Sequence, residues 1–204
     1  MTKKENLILL GDSITNGFDG KKDLKHNVSY YLAKLLPNFE ITNAGVNAGS
    51  ISGNTERDLT YQVNTHNFKD YQVATIAYGT NDFAHCYETL EIISRILQKN
   101  ITKIKEENPS ILLLGILPTN RFDGGIDNLN VGGLAHYTFA ELLETLIKVY
   151  QKNNLPILNW RKTAPHLIDS NNYRTTLGDQ RLHPNAATYE KMAQVIADFI
   201  IANL

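Results

Sequence analysis

Cysteine is almost missing: Cys86 is the only one in 204 residues. An intrachain disulfide and a thiolate cage for zinc are therefore excluded, and the fold must be held by packing. That scarcity fits a reducing compartment. Charge of one sign is missing too, since 20 Lys and Arg stand against 21 Asp and Glu. No basic field draws the chain to nucleic acid or to an anionic lipid surface. Long hydrophobic runs do not occur. Nothing approaches the roughly 20 apolar residues of a membrane helix. Lys3 and Lys4 precede only Leu7-Ile8-Leu9-Leu10, short of the roughly 7 to 15 apolar residues at the heart of a signal peptide. A cytoplasmic protein with neither nucleic-acid nor membrane partners is expected. His26, His66, His85, His136 and His166 show no H-x-x-x-H ligand spacing, and neither a Walker loop nor a G-x-G-x-x-G after a strand occurs, so neither metal nor cofactor is expected. A G-x-S-x-G elbow is absent, which counts against the α/β-hydrolase fold.

What is present is an alternation of two periods. Short runs rich in Leu, Ile and Val lie at Leu7–Leu10, Phe39–Thr42, Val73–Tyr78, Ile111–Leu117 and Leu155–Asn159, each the length of a buried strand. Between them the spacing turns helical. Leu90, Ile93, Leu97, Ile101 and Ile104 form one stripe that Pro109 stops. Phe139, Leu142, Leu143, Leu146, Ile147 and Tyr150 form another, and Tyr189, Met192, Ala193, Ile196, Phe199 and Ile200 a third. Tyr30–Leu36 suggests an earlier helix. Strands alternating with helices predict an α/β fold with a parallel sheet and helices on both faces. With neither repeat nor linker in view, residues 1–204 read as one domain. The stretch Pro118–His136 carries four glycines and lacks a period, and a connection that long is more often functional than idle.

Ligands of open α/β sheets bind at the carboxyl ends of the strands, and the polar signatures fall there. Gly11-Asp12-Ser13 follows the first strand, where a serine can present its hydroxyl and its N–H to the crevice; the plain alternative is a turn that caps a helix. After the second strand, Asn43–Thr55 is rich in glycine and small residues, and a freed amide there suits a developing oxyanion. Gly79-Thr80-Asn81-Asp82 follows the third strand, with Asn81 as a further donor and Asp82 as a brace for the turn. Near the end, Gly178-Asp179-Gln180-Arg181-Leu182-His183-Pro184-Asn185 precedes the last helix. The neutral ring of His183 is a natural base for a serine hydroxyl, Asp179 can hold its other nitrogen, and Asn185 can cap the helix. Each block alone has an ordinary turn as its alternative. Together they supply nucleophile, base, base orienter and oxyanion donors for acyl transfer.

In these blocks the sequence resembles the SGNH hydrolases, also called GDSL-type esterases and lipases, over essentially its whole length. Ser13, Gly53, Asn81 and His183 match the family's serine, glycine, asparagine and histidine in order. The resemblance implies a three-layer flavodoxin-like fold with a five-stranded parallel sheet. It also implies an acyl-enzyme on Ser13 and an oxyanion hole made by the N–H groups of Ser13 and Gly53 and the Asn81 side chain, with Gly49 as the substitute for Gly53. One departure stands out. The family's acid lies three positions before the histidine, where this chain has Gln180, and Asp179 is four positions upstream. A one-residue bulge brings Asp179 to the ring; otherwise Gln180 or a backbone carbonyl orients His183. Arg121, Phe122 and Tyr137 are candidates for a wall of the acyl or alcohol pocket, with a solvated loop as the alternative. The expected substrate is a small carboxylic ester, an acetylated sugar among the candidates. Two other readings are a carbohydrate O-deacetylase or acyltransferase on the same machinery and a catalytically weak binding protein on the same fold.

Overall fold

In the computed structural model, residues 4–204 are described. Five strands form one sheet: β1 (Glu5–Gly11), β2 (Phe39–Gly45), β3 (Val73–Ala77), β4 (Leu112–Ile116) and β5 (Ile157–Leu158). All neighbours pair in parallel, in the order β2-β1-β3-β4-β5. The helices are α1 (Ser13–Asn16), α2 (Val28–Leu35), α3 (Leu59–Thr65), α4 (Thr80–His85), α5 (Leu90–Glu107), α6 (Phe139–Lys152), α7 (Trp160–Thr163), α8 (Tyr173–Thr176) and α9 (Ala186–Ile201). This is the flavodoxin-like α/β architecture.

Side chains alternate across a strand, so one sheet serves two cores. Leu7 and Leu9 of β1 pack with Val28, Leu32, Met192 and Ile196 of α2 and α9. Ile8 and Leu10 point the other way, to Val63 of α3, Leu97 and Ile101 of α5, and Leu142 and Leu146 of α6. The helix ends follow local chemistry. Thr89 caps α5 by accepting from the Ile92 amide, and Asn185 caps α9 by accepting from the Thr188 amide. Thr138 and Glu141 close a reciprocal capping box on α6. Where a run of five residues predicts the last strand, only Ile157 and Leu158 pair. Pro156 lacks an N–H and offers the sheet its carbonyl alone, accepting from Gly115 at 3.0 Å, while Asn159 turns to cap α7.

The chain leaves β1 toward β2 on one side and returns to β3 on the other. That reversal opens a crevice at the carboxyl ends of β1 and β3. Among the described residues, no helix is long and apolar enough to cross a membrane.

Candidate active site

β1 ends at Gly11, and the chain turns at once into α1. A Cβ at Gly11 would lie 1.9 Å from Thr15 Oγ1, so the turn closes this tightly only because the side chain is absent. Asp12 caps the new helix, accepting from the Ile14 amide at 2.9 Å. Ser13 is thereby set at the head of α1, where its N–H has no intrahelical acceptor.

Ser13 Oγ lies 3.0 Å from His183 Nε2, and His183 Nδ1 lies 2.7 Å from Asp179 Oδ2. Asp179 does reach the ring across the longer spacing. Its Oδ1 accepts from the amides of Arg181, Leu182 and His183 at 3.0, 2.8 and 3.0 Å. The chain coils around the carboxylate because Gln180 takes a left-handed φ of 55°. That residue is the bulge that absorbs the extra position. Burial pushes the Asp179 carboxyl up, but the His183 ring and the three amides outweigh it and hold the group well below the usual carboxylate range. An ionised Asp179 only accepts, so Nδ1 carries the ring proton and Nε2 is free to accept from Ser13. Phe18 stands edge-on to the imidazole, ring centroids 4.9 Å apart, and Tyr189 Oη donates to the Phe18 carbonyl at 2.7 Å.

Asn81 sits in the first turn of α4 and is 6% exposed. One N–H of its amide donates to the Gly49 carbonyl at 2.8 Å, which leaves the other for a ligand. The Gly49 amide is spent in a turn on the Val46 carbonyl. The Gly53 amide donates to Ser50 Oγ at 2.9 Å, and that hydroxyl donates onward to Asp58 Oδ1. Two carboxylates grip this loop. Asp58 accepts from the amides and hydroxyls of Ser50 and Thr55, at 2.7 to 2.9 Å. Asp82 accepts from the amides of Ile51 and Ser52 and from Ser52 Oγ. Asp82 thus braces the neighbouring loop across the crevice rather than its own turn. A Cβ at Gly53 would come within 2.2 Å of the Asp58 carboxylate, so glycine is required for that grip.

The three candidate wall residues are all buried. Arg121 is 2% exposed, and its guanidinium donates to the Thr80 carbonyl and hydroxyl and to Asp123. Phe122 is buried against Ile168 and Leu177 and stacks on Tyr173 with centroids 4.3 Å apart. Tyr137 is buried on Phe83, its hydroxyl donating to the Asp82 carbonyl at 2.9 Å. All three engage protein partners, and these contacts fasten the long connection to the body. The clamp at Asp58 escaped the sequence reading, although Thr55-x-x-Asp58 has the spacing of a side chain closing on its own loop. Phe18 had no local signal, since its contact spans most of the chain.

A Ser-His-Asp chain, with Ser13 and His183 buried, thus stands beside an Asn amide at the switch point of a parallel α/β sheet, an arrangement suited to hydrolase chemistry. A profile of the GDSL-like lipase/acylhydrolase family matches residues 9–191, and the chain belongs to that family of ester-hydrolysing enzymes. No curated protein sequence matches the chain significantly. Similar solved structures include a protein from Lactobacillus plantarum, with 17% identity, 100% of both chains covered and a TM-score of 0.80. The lipase/acylhydrolase from Enterococcus faecalis has 18% identity over 97% of this chain and 96% of that one, with a TM-score of 0.72. A family two carbohydrate esterase from Clostridium thermocellum, in complex with cellohexaose, has 15% identity over 99% of this chain and 65% of that one, with a TM-score of 0.64. At these identities the likeness is one of fold.

Proposed function

We propose that the chain is a serine esterase that hydrolyses small carboxylic esters through an acyl-enzyme on Ser13. The reading rests on one observation, the continuous contact from Ser13 Oγ through His183 to Asp179. His183 Nε2 takes the hydroxyl proton as Oγ attacks the ester carbonyl, and the imidazolium is stabilised by Asp179. Negative charge on the carbonyl oxygen is met by the Ser13 N–H, the free N–H of Asn81, and the Gly53 N–H as it turns from Ser50 Oγ. His183 then gives its proton to the leaving alcohol. Water, deprotonated by the same nitrogen, attacks the acyl-enzyme, the bond from the acyl carbon to Ser13 Oγ breaks as His183 returns the proton to Oγ, and the acid is released. Residues 1–204 act as one catalytic unit, and the lone Cys86 supports a cytoplasmic setting.

A second reading, deacetylation of a carbohydrate, draws on the likeness to a carbohydrate esterase solved with an oligosaccharide. Acetate release from acetylated oligosaccharides, set against cleavage of longer acyl esters, separates the two. The shared machinery is tested on p-nitrophenyl acetate. Ser13→Ala is expected to lose at least ~1,000-fold in kcat, and Asp179→Asn about 10³- to 10⁴-fold. A fluorophosphonate adds one adduct to the wild type and none to Ser13→Ala. Equal rates in wild type and Ser13→Ala would overturn the reading.

A further inference from the structure

The two ends of the site are joined by a line of charge that the acyl-transfer chemistry does not itself use. It begins at Asp179 Oδ2, the oxygen that holds His183, where Arg181 Nε approaches to 3.7 Å. Arg181 Nη1 lies 3.0 Å from Asp123 Oδ1 on the connection after β4. The other Asp123 oxygen takes Arg121 Nε and Nη2, both at 2.7 Å. Arg121 Nη1 then donates to the Thr80 carbonyl at 2.8 Å and to its hydroxyl at 3.0 Å, one residue before Asn81. A backbone bond runs alongside, from the Phe122 amide to the Arg181 carbonyl at 2.8 Å.

A buried guanidinium is costly to desolvate, and a surface tie would not need one. Arg121 is nevertheless 2% exposed, and its planar fork fixes two groups at once. Asp123 stands between the two arginines and bonds to both. Burial pushes its carboxyl up, but Arg121 and Arg181 outweigh this and hold it below the usual range.

We propose that Arg121, Asp123 and Arg181 are positioning residues: a strap that ties the base-orienting acid to the oxyanion-donor turn and tunes His183 through Asp179. The proposal rests on the esterase reading for its role in catalysis, but not for its effect on the imidazole. The charges that face His183 come from three elements. Asp179 and Arg181 lie on its own loop, Asp12 lies at the head of α1, and Asp123 acts from the strap through Arg181. With Asp123 neutral, Arg181 turns its full charge on Asp179, and the ring holds its proton less tightly. With Arg181 gone, a cation leaves the vicinity and the ring holds its proton more tightly.

The test is the titration of His183 by NMR in Asp123→Asn and Arg181→Gln, with kcat and KM on p-nitrophenyl acetate. Asp123→Asn is expected to lower the His183 midpoint by about half a pH unit or more, and Arg181→Gln to raise it. Asp123→Asn is also expected to cut kcat by about tenfold with KM within about twofold. In the double variant the Asp123→Asn effect on the midpoint shrinks, because it acts through Arg181. A merely structural strap would move both midpoints the same way or neither. Midpoints that stay put or shift together overturn the proposal, as does a kcat for Asp123→Asn within twofold of an active wild type. A wild type that neither hydrolyses the ester nor takes up fluorophosphonate sinks the esterase reading instead, and the titrations still decide the strap.

Discussion

Asp12 shows how one residue is made to carry two burdens. It must accept from the Ile14 amide to set Ser13 at the head of α1, and it must do so while 3% exposed. Burial raises its carboxyl to about 7, against a partial offset from the Ile14 amide and the charge of His183. Unfolded, the same group ionises near its ordinary value of 3.8. Between those two values the folded protein holds a proton that the unfolded chain has released, so stability falls as pH rises from about 4 to 7. Asp179, Asp58 and Asp123 have lowered values, so their contribution is present above about 4 and is lost only in stronger acid. The two windows do not overlap. Asn caps a helix as well as Asp does. Asp12→Asn is therefore expected to exceed wild type in stability at pH 8 by on the order of 1–4 kcal/mol, and to match it near pH 4. Urea unfolding at the two pH values checks this, and a difference that did not change with pH would refute it. At this scale the sequence was readable where a residue's place follows from its strand. Ser13, Asn81 and His183 stand beside strand ends or the last helix, and the turn chemistry around them is local. The burial of Arg121 was not readable, because the burial of a guanidinium is decided by its partners, and Thr80 is 41 residues away.

Elements were legible in proportion to their length. α5, α6 and α9 repeat their apolar positions often enough to declare a helix, and β1 to β4 are apolar runs bounded by polar turns. α1, α3, α4, α7 and α8 are too short to show a period, and α1 and α4 carry Ser13 and Asn81. The Ser50–Thr55 loop has no repeating structure at all, yet Asp58 and Asp82 fix it with charged acceptors. Under the proposed mechanism that rigidity bears on catalysis, since a loop already fixed in place leaves only the Gly53 amide to turn from Ser50 Oγ. Asp58→Ala leaves the Ser50 and Thr55 amides without their acceptor. Ser50 is buried and Thr55 is exposed, so one buried donor is left unpaired at a cost of about 1–3 kcal/mol, and the urea midpoint should fall accordingly. The rate should fall too, by roughly tenfold or more in kcat, because the loop that carries Gly53 loses the carboxylate that fixes it. An unchanged midpoint would mean that the loop is held from elsewhere.

For the molecule as a whole, the decisive number is sequence separation. Ser13 and His183 touch across 170 residues, and Asn81 follows β3, the neighbour of β1 in the sheet. None of these contacts is available to a fragment: Ser13 depends on β1, Asn81 on β3, and His183 on a loop bonded to the long connection after β4. Both cores, moreover, lean on the same β1, Leu7 and Leu9 serving one face and Ile8 and Leu10 the other. Loosening either core disturbs the strand that delivers Ser13. Activity and global structure should consequently be lost together. Two-state unfolding of a chain this long carries an enthalpy of roughly 0.7 kcal/mol per residue near 60 °C, which gives a sharp transition. Residual esterase activity after brief heating, measured at temperature, is expected to follow the far-ultraviolet circular dichroism within a few degrees. Activity that vanished well below the structural transition would show a site opening on its own. The natural suspects would then be the Phe18 loop and the Gly178–Asn185 loop, joined to the sheet by side-chain contacts rather than by strand pairing.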